Sequence, residues 1–196
     1  IGCRPADFQT MRISEKLLQA SGITIVAVDL SEIIGAASRL DDASAKVTDA
    51  ANRLGEYGNI VAGVPRDQLL KQARLTVAIE EWIEANEVDA AGVQCWTALQ
   101  QNYGCASCAA MSMLSDRLIP AACECDVGGA VSMYALTLAS GNASALLDWN
   151  NNYGSDRNKC VSTHCGNNPR SFIYGDAGGK PEISYLDVLS TPLGQE

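Results

Sequence analysis

Basic residues are scarce in this chain. Lys and Arg together number 14 against 23 Asp and Glu, a net charge of -9. Such a surface repels phosphate backbones, so nucleic acid is not an expected partner. Long apolar runs are also missing. Although 47% of residues are hydrophobic, no run reaches the about 18 residues of a spanning helix, and no membrane partner is expected. The opening "IGCRPADF" has no apolar leader core, so a cytoplasmic location is expected. It also carries no initiator Met, and the chain reads as a fragment. Gly128-Gly129 sits in neither a P-loop nor a dinucleotide fingerprint.

Cysteine, by contrast, is plentiful at eight residues. Secreted disulfide scaffolds are short and loop-rich, and this chain is neither. Cys95, Cys123 and Cys160 lie in apolar runs, where free Cys behaves as a small hydrophobe. Reduced thiols in a reducing compartment are expected, serving as apolar filler. Cys105 and Cys108 form a C-x-x-C, but no second one follows at zinc spacing. As a redox motif, "NYGCASCAA" fits loosely. Cys165 beside His164 is not expected to couple with it, because neighbours on one strand point to opposite faces.

Periodicity divides the 196 residues in two. "ADFQTMRISEKLLQA" from Ala6 has helical spacing and stops at Ser21-Gly22. "ITIVAVD" (Ile23 to Asp29) reads as a strand covered on both faces. Asp29 or Ser31 caps a helix to about Leu40, and residues 41–54 read as another. Pro65 opens a long helix to about Asn86. "DAAGVQC" (Asp89 to Cys95) and "IPAACEC" (Ile119 to Cys125) read as further strands, with residues 97–115 as helix or loop between them. Asp126 caps a helix to Ser140. Strands alternating with helices predict a doubly wound, Rossmann-like parallel sheet over residues 1–140. From residue 141 to 196 the pattern changes to "ALLDWN", a polar loop and "CVSTHCG", followed by turns and one short strand candidate. It reads as the first strands of a truncated β-rich domain.

In open parallel sheets, ligands bind beyond the carboxyl ends of strands. Gln94, Glu124, Asp148 and His164 are all placed at expected strand ends. Two carboxylates and an imidazole suit a hard or borderline divalent ion such as Mn²⁺ or Mg²⁺. The structural alternatives are a solvated acid at a sheet edge for Glu124, an Asx turn for Asp148, and a core histidine for His164.

The stretches "PAACECDVGGAVSMYALTLASG" and "LLDWNNNYGSDRNKCVSTHCGN" resemble the L-fucose isomerase and L-arabinose isomerase family, in particular its fucose isomerase-like branch. The resemblance covers residues 88–170 well and extends weakly to residues 1–87. It implies aldose–ketose isomerisation in carbohydrate metabolism through a cis-enediol, assisted by Mn²⁺ or another divalent ion such as Mg²⁺ or Co²⁺. Glu124 and Asp148 would then be acid/base residues and metal ligands, with His164 a further ligand. Gln94 and Trp96 would face the sugar. The family is longer and oligomeric, and another ligand histidine lies in its C-terminal part. A homo-oligomer with an incomplete site in this fragment is thus implied, inactive on its own. The opposing expectation is a non-catalytic sugar-binding or oligomerisation module of the same fold. A zinc or redox protein built on Cys105 and Cys108 is a third.

Overall fold

A computed structural model describes residues 1–174 and 180–184. Its helices are α1 (Glu15–Ala20), α2 (Leu30–Ser38), α3 (Ala45–Tyr57), α4 (Arg66–Ala85), α5 (Ala98–Asn102), α6 (Cys108–Asp116), α7 (Val127–Ser140) and α8 (Arg170–Tyr174). The strands are β1 (Asn59–Ile60), β2 (Ala91–Gly92), β3 (Ala121–Ala122), β4 (Asp148–Tyr153), β5 (Asp156–Thr163) and β6 (Glu182–Ile183). Single 3-10 turns cover Gln9–Met11 and Cys123–Cys125.

Parallel pairing of β2 with β3 lies at the centre, in the register Ala91 to Ala121 and Gly92 to Ala122. The ladder extends past both ends: Ala91 N–H donates to Pro120 O and Val93 N–H to Ala122 O, each at 2.8 Å. On the other edge, Gln94 N–H donates to Ile1 O at 2.9 Å and Gly2 N–H to Val28 O at 2.8 Å. Four extended segments therefore lie side by side: the end of Ile23–Asp29, then Ile1–Gly2, β2 and β3. A second parallel pair joins β1 to β6.

Helices cover this centre because their apolar positions recur at helical spacing. Pro65 precedes α4, and its ring supplies the fixed φ that a helix start needs. Ala73, Leu75, Thr76, Val77, Ala78, Ile79 and Ile83 of α4 are all buried. That set spans more than one stripe, as expected of a helix enclosed on two sides. One side enters a cluster with Ile33 of α2, Leu99, Met111 and Leu114. The other packs Ala73 and Val77 on Val47, Ala50 and Leu54 of α3. Glu80 ties three helices together, accepting from Arg53 of α3 at 2.7 and 2.8 Å and from Arg117, just after α6, at 2.7 Å.

Several expectations about elements change. "ITIVAVD" is not a strand covered on both faces: only Val28 is buried and Val26 is 42% exposed. Its strand-type backbone bond is to Gly2, and Thr24 and Val26 meet solvent while Val28 enters the core. The single helix expected over Ala6–Ala20 is a 3-10 turn followed by α1. Asp148 starts β4 instead of ending a strand. β4 and β5 form an antiparallel hairpin with an irregular register near Asn151. Of the tail expected to hold turns and one short strand from Gly175 onward, the described residues contain β6, and residues 175–179 and 185–196 lie outside them. No described helix is long and apolar enough to cross a membrane.

Candidate functional site

The carboxyl ends of β2 and β3 place the chemistry. β3 turns directly into Cys123–Cys125, where Glu124 takes φ 59, ψ 23 and Cys125 takes φ 56. Two consecutive non-glycine residues in the left-handed region are uncommon and carry a backbone cost. The turn is held by Cys125 N–H donating to Val93 O at 3.1 Å and Asp126 N–H to Cys123 O at 3.0 Å. Gly92 makes room for it: a Cβ there would stand 3.1 Å from the Cys125 carbonyl carbon. Asp126 then caps α7 as expected, its Oδ1 accepting from Gly129 N–H at 2.8 Å. Gly129 itself admits Leu146, whose Cδ2 would lie 2.6 Å from an added Cβ.

Glu124 is 5% exposed. Its carboxylate makes no hydrogen bond among the described residues. Burial pushes its pKa above the ordinary glutamate range; His164 opposes this, while Cys165, Asp148 and Asp126 add to it. The same charges act on His164. The Cys165 side chain raises its pKa most, burial works against that, and Glu124 and Asp148 add to the rise. Glu124, Asp148 and His164 are therefore near enough for their charges to act on one another. Asp148 is exposed, opposite Thr163 in the hairpin. His164 follows β5 and is half-buried, and its Nδ1 accepts from Cys165 N–H at 3.0 Å. Nε2 is then the nitrogen left for a ligand.

Gln94 and Trp96 emerge at the same strand end, both engaged by the N-terminal segment. Gln94 Oε1 accepts from Cys3 N–H at 2.9 Å. Trp96 packs edge-on against Phe8, with centroids 6.4 Å apart. Arg4 braces that segment through bonds to Pro5 O and Phe8 O. Sequence reasoning missed Phe8, Arg4 and Gly92. Their roles come from close approaches between segments far apart in the chain, which no local pattern signals.

The cysteines behave differently from the expectation. His164 and Cys165 do couple, with Cys165 Sγ 3.8 Å from His164 Nδ1. β5 ends at Thr163, so strand alternation no longer applies to the pair. The thiols of Cys108 and Cys123, then His164, hold the pKa of Cys165 well below the ordinary thiol range. Cys105, the other half of the C-x-x-C, turns away to Gln72 Oε1 at 2.8 Å. Burial pushes its thiol up to about 12, which argues against a reactive dithiol there.

The donor types at the site, two carboxylates and an imidazole, fit a hard or borderline divalent cation. Among the described residues, however, no three His, Cys, Asp or Glu side chains are grouped to hold one ion. The chain offers the donors without gathering three of them around one point.

No family model matches the chain. It is similar to curated proteins named sulfoquinovose isomerase. Identity to the one from Clostridium sp. (strain MSTE9) is 29% over 182 residues, covering 92% of this chain and 40% of that protein. Identity to the one from Priestia megaterium (strain ATCC 12872 / QMB1551) is also 29%, over 165 residues, 83% of this chain and 36% of that protein. The match to the Alkalicoccus urumqiensis protein is 29% over 111 residues, 57% of this chain and 25% of that protein. These relatives are isomerases. The chain spans about 40% of the first of them, or less of the others. Their name is not that of a fucose or arabinose isomerase.

Proposed function

We propose that the full-length protein interconverts an aldose and a ketose, with Glu124 as the residue that carries the proton between carbons. One observation supports this most: Glu124, a buried residue at the end of β3, feels the charges of His164 and Asp148, in a chain similar to isomerases. Moving a carbonyl from C1 to C2 needs removal of a weakly acidic proton beside it. A base for that step works best with a pKa raised toward neutrality. Burial raises Glu124 in that direction. Glu124 takes the proton from C2 and returns it to C1. Asp148, which is exposed, would move a proton between the two oxygens.

Glu124, Asp148 and Nε2 of His164 would hold a divalent cation such as Mn²⁺, Mg²⁺ or Co²⁺. When bound, the cation supplies positive charge that stabilises the oxygens of the enediol. Further donors from the rest of the protein or from a second copy would complete the set, consistent with a cytoplasmic homo-oligomer. Gln94 and Trp96 would border the sugar. The relatives' name makes a sulfonated aldose the first substrate to test, beside L-fucose and L-arabinose.

The test is turnover of sulfoquinovose, L-fucose and L-arabinose by full-length protein with Mn²⁺. Glu124→Gln is expected to lower turnover of the accepted sugar by about a hundred- to ten-thousand-fold, the range for a lost general base. Unchanged turnover would reject the assignment. No turnover of any aldose by the unmutated protein, with sugar binding retained, would favour the binding-module reading.

A further inference from the structure

β3 is the outermost of the four extended segments, and side chains close its free edge. Pro120 O and Ala122 O accept from β2, so the N–H and C=O of Ala121 face the other way. Ala121 N–H donates to Ser115 Oγ of α6 at 3.1 Å. Ala121 O accepts from Asn167 Nδ2 at 2.7 Å. The Asn167 amide thus stands where a neighbouring strand would offer its N–H. An oxygen turned toward Ala121 O could not bond it, which fixes the amide nitrogen on that side.

Asn167 is 4% exposed. Its Oδ1 is buried without a hydrogen-bond partner among the described residues. A buried acceptor left unpaired is costly, so an apolar side chain would serve packing alone better. What an apolar side chain lacks is the bond to β3. That bond links two acting residues: His164 is three residues before Asn167, and Glu124 is three residues after Ala121. The rest of the segment docks on α6 instead. Gly166 O accepts from Ser112 Oγ at 3.4 Å, and Arg170 N–H donates to Asp116 Oδ2 at 2.8 Å. Of these bonds, only that of Asn167 reaches the strand that leads into Glu124.

We propose that Asn167 is a positioning residue: its amide clamps the segment after β5 onto β3 and so sets His164 against Glu124. The roles of His164 and Glu124 are those of the isomerase reading, on which this assignment rests. Asn167 acts through them and not on the sugar. Its loss leaves Gln94 and Trp96 in place beside the sugar, so the effect falls on kcat and spares KM.

The experiment compares full-length wild type with Asn167→Leu and Asn167→Asp, which keep the branched shape and remove the donor. Turnover of the accepted aldose is measured per folded molecule, and hydrogen exchange is followed by mass spectrometry on peptides covering residues 163–167 and α4. Each variant is expected to lose about ten- to a hundred-fold in kcat with KM changed less than about twofold. Exchange at 163–167 should be faster, with α4 unchanged. Either variant suffices if the other folds poorly. Wild-type kcat in a folded variant would overturn the assignment, because packing would then account for the side chain, and so would unchanged exchange at 163–167. If the unmutated protein turns over no aldose, it is the isomerase reading that fails. Exchange then still decides the clamp, faster exchange upholding it and unchanged exchange overturning it.

Discussion

Glu124 titrates against the fold. Its pKa is raised by burial, so as pH climbs past the ordinary glutamate range, about 4.3, the unfolded chain releases its proton first. Folding loses stability across the window up to the raised value, and the loss persists above it. Metal-free Glu124→Gln is therefore expected to melt higher than wild type at pH 7 and no differently below about pH 4. Calorimetry at the two pH values checks this, and a lower melting point for the variant at pH 7 would show that the ionised carboxylate has a partner. At this scale the sequence was half legible. Glu124 stood out because an acid among Cys and Ala at a strand end has few bland explanations. The His164–Cys165 pair was misjudged because the strand was extended three residues too far, to Gly166.

Elements were legible where their ends carry a chemical signature. Pro65 before α4 and Asp126 before α7 mark starts that the structure reproduces. Asp126→Ala removes the acceptor for Gly129 N–H and is expected to cost about 1 kcal/mol of stability, measurable by urea unfolding. The strands were harder to bound. β2 and β3 are two-residue ladders of Ala and Gly, whose composition carries almost no strand preference. Their pairing is set by close packing, with Gly92 admitting the Cys125 turn, and this is a contact between distant segments. Asp148 opening β4 follows from hairpin register opposite Thr163, which a local reading of "ALLDWN" does not contain.

For the whole molecule, the β4–β5 hairpin stands apart from the helical core. Nearly all its residues are exposed, Trp149 at 80%. A two-stranded hairpin alone is marginal in water, so its large side chains report whether anything covers it. In the 196-residue chain, Trp149→Ser is expected to change stability by less than about 0.5 kcal/mol, as at an open surface site. A cost of about 3 kcal/mol or more, the range for a buried aromatic, would show that this face is covered in solution. The left-handed turn at Glu124 has a wider reach. Asn or Gly would suit that backbone better than Glu, and neither carries the carboxylate. Directed evolution under heat selection alone would thus drift toward the inert substitution, and a library of this protein keeps its chemistry only when turnover is selected alongside survival.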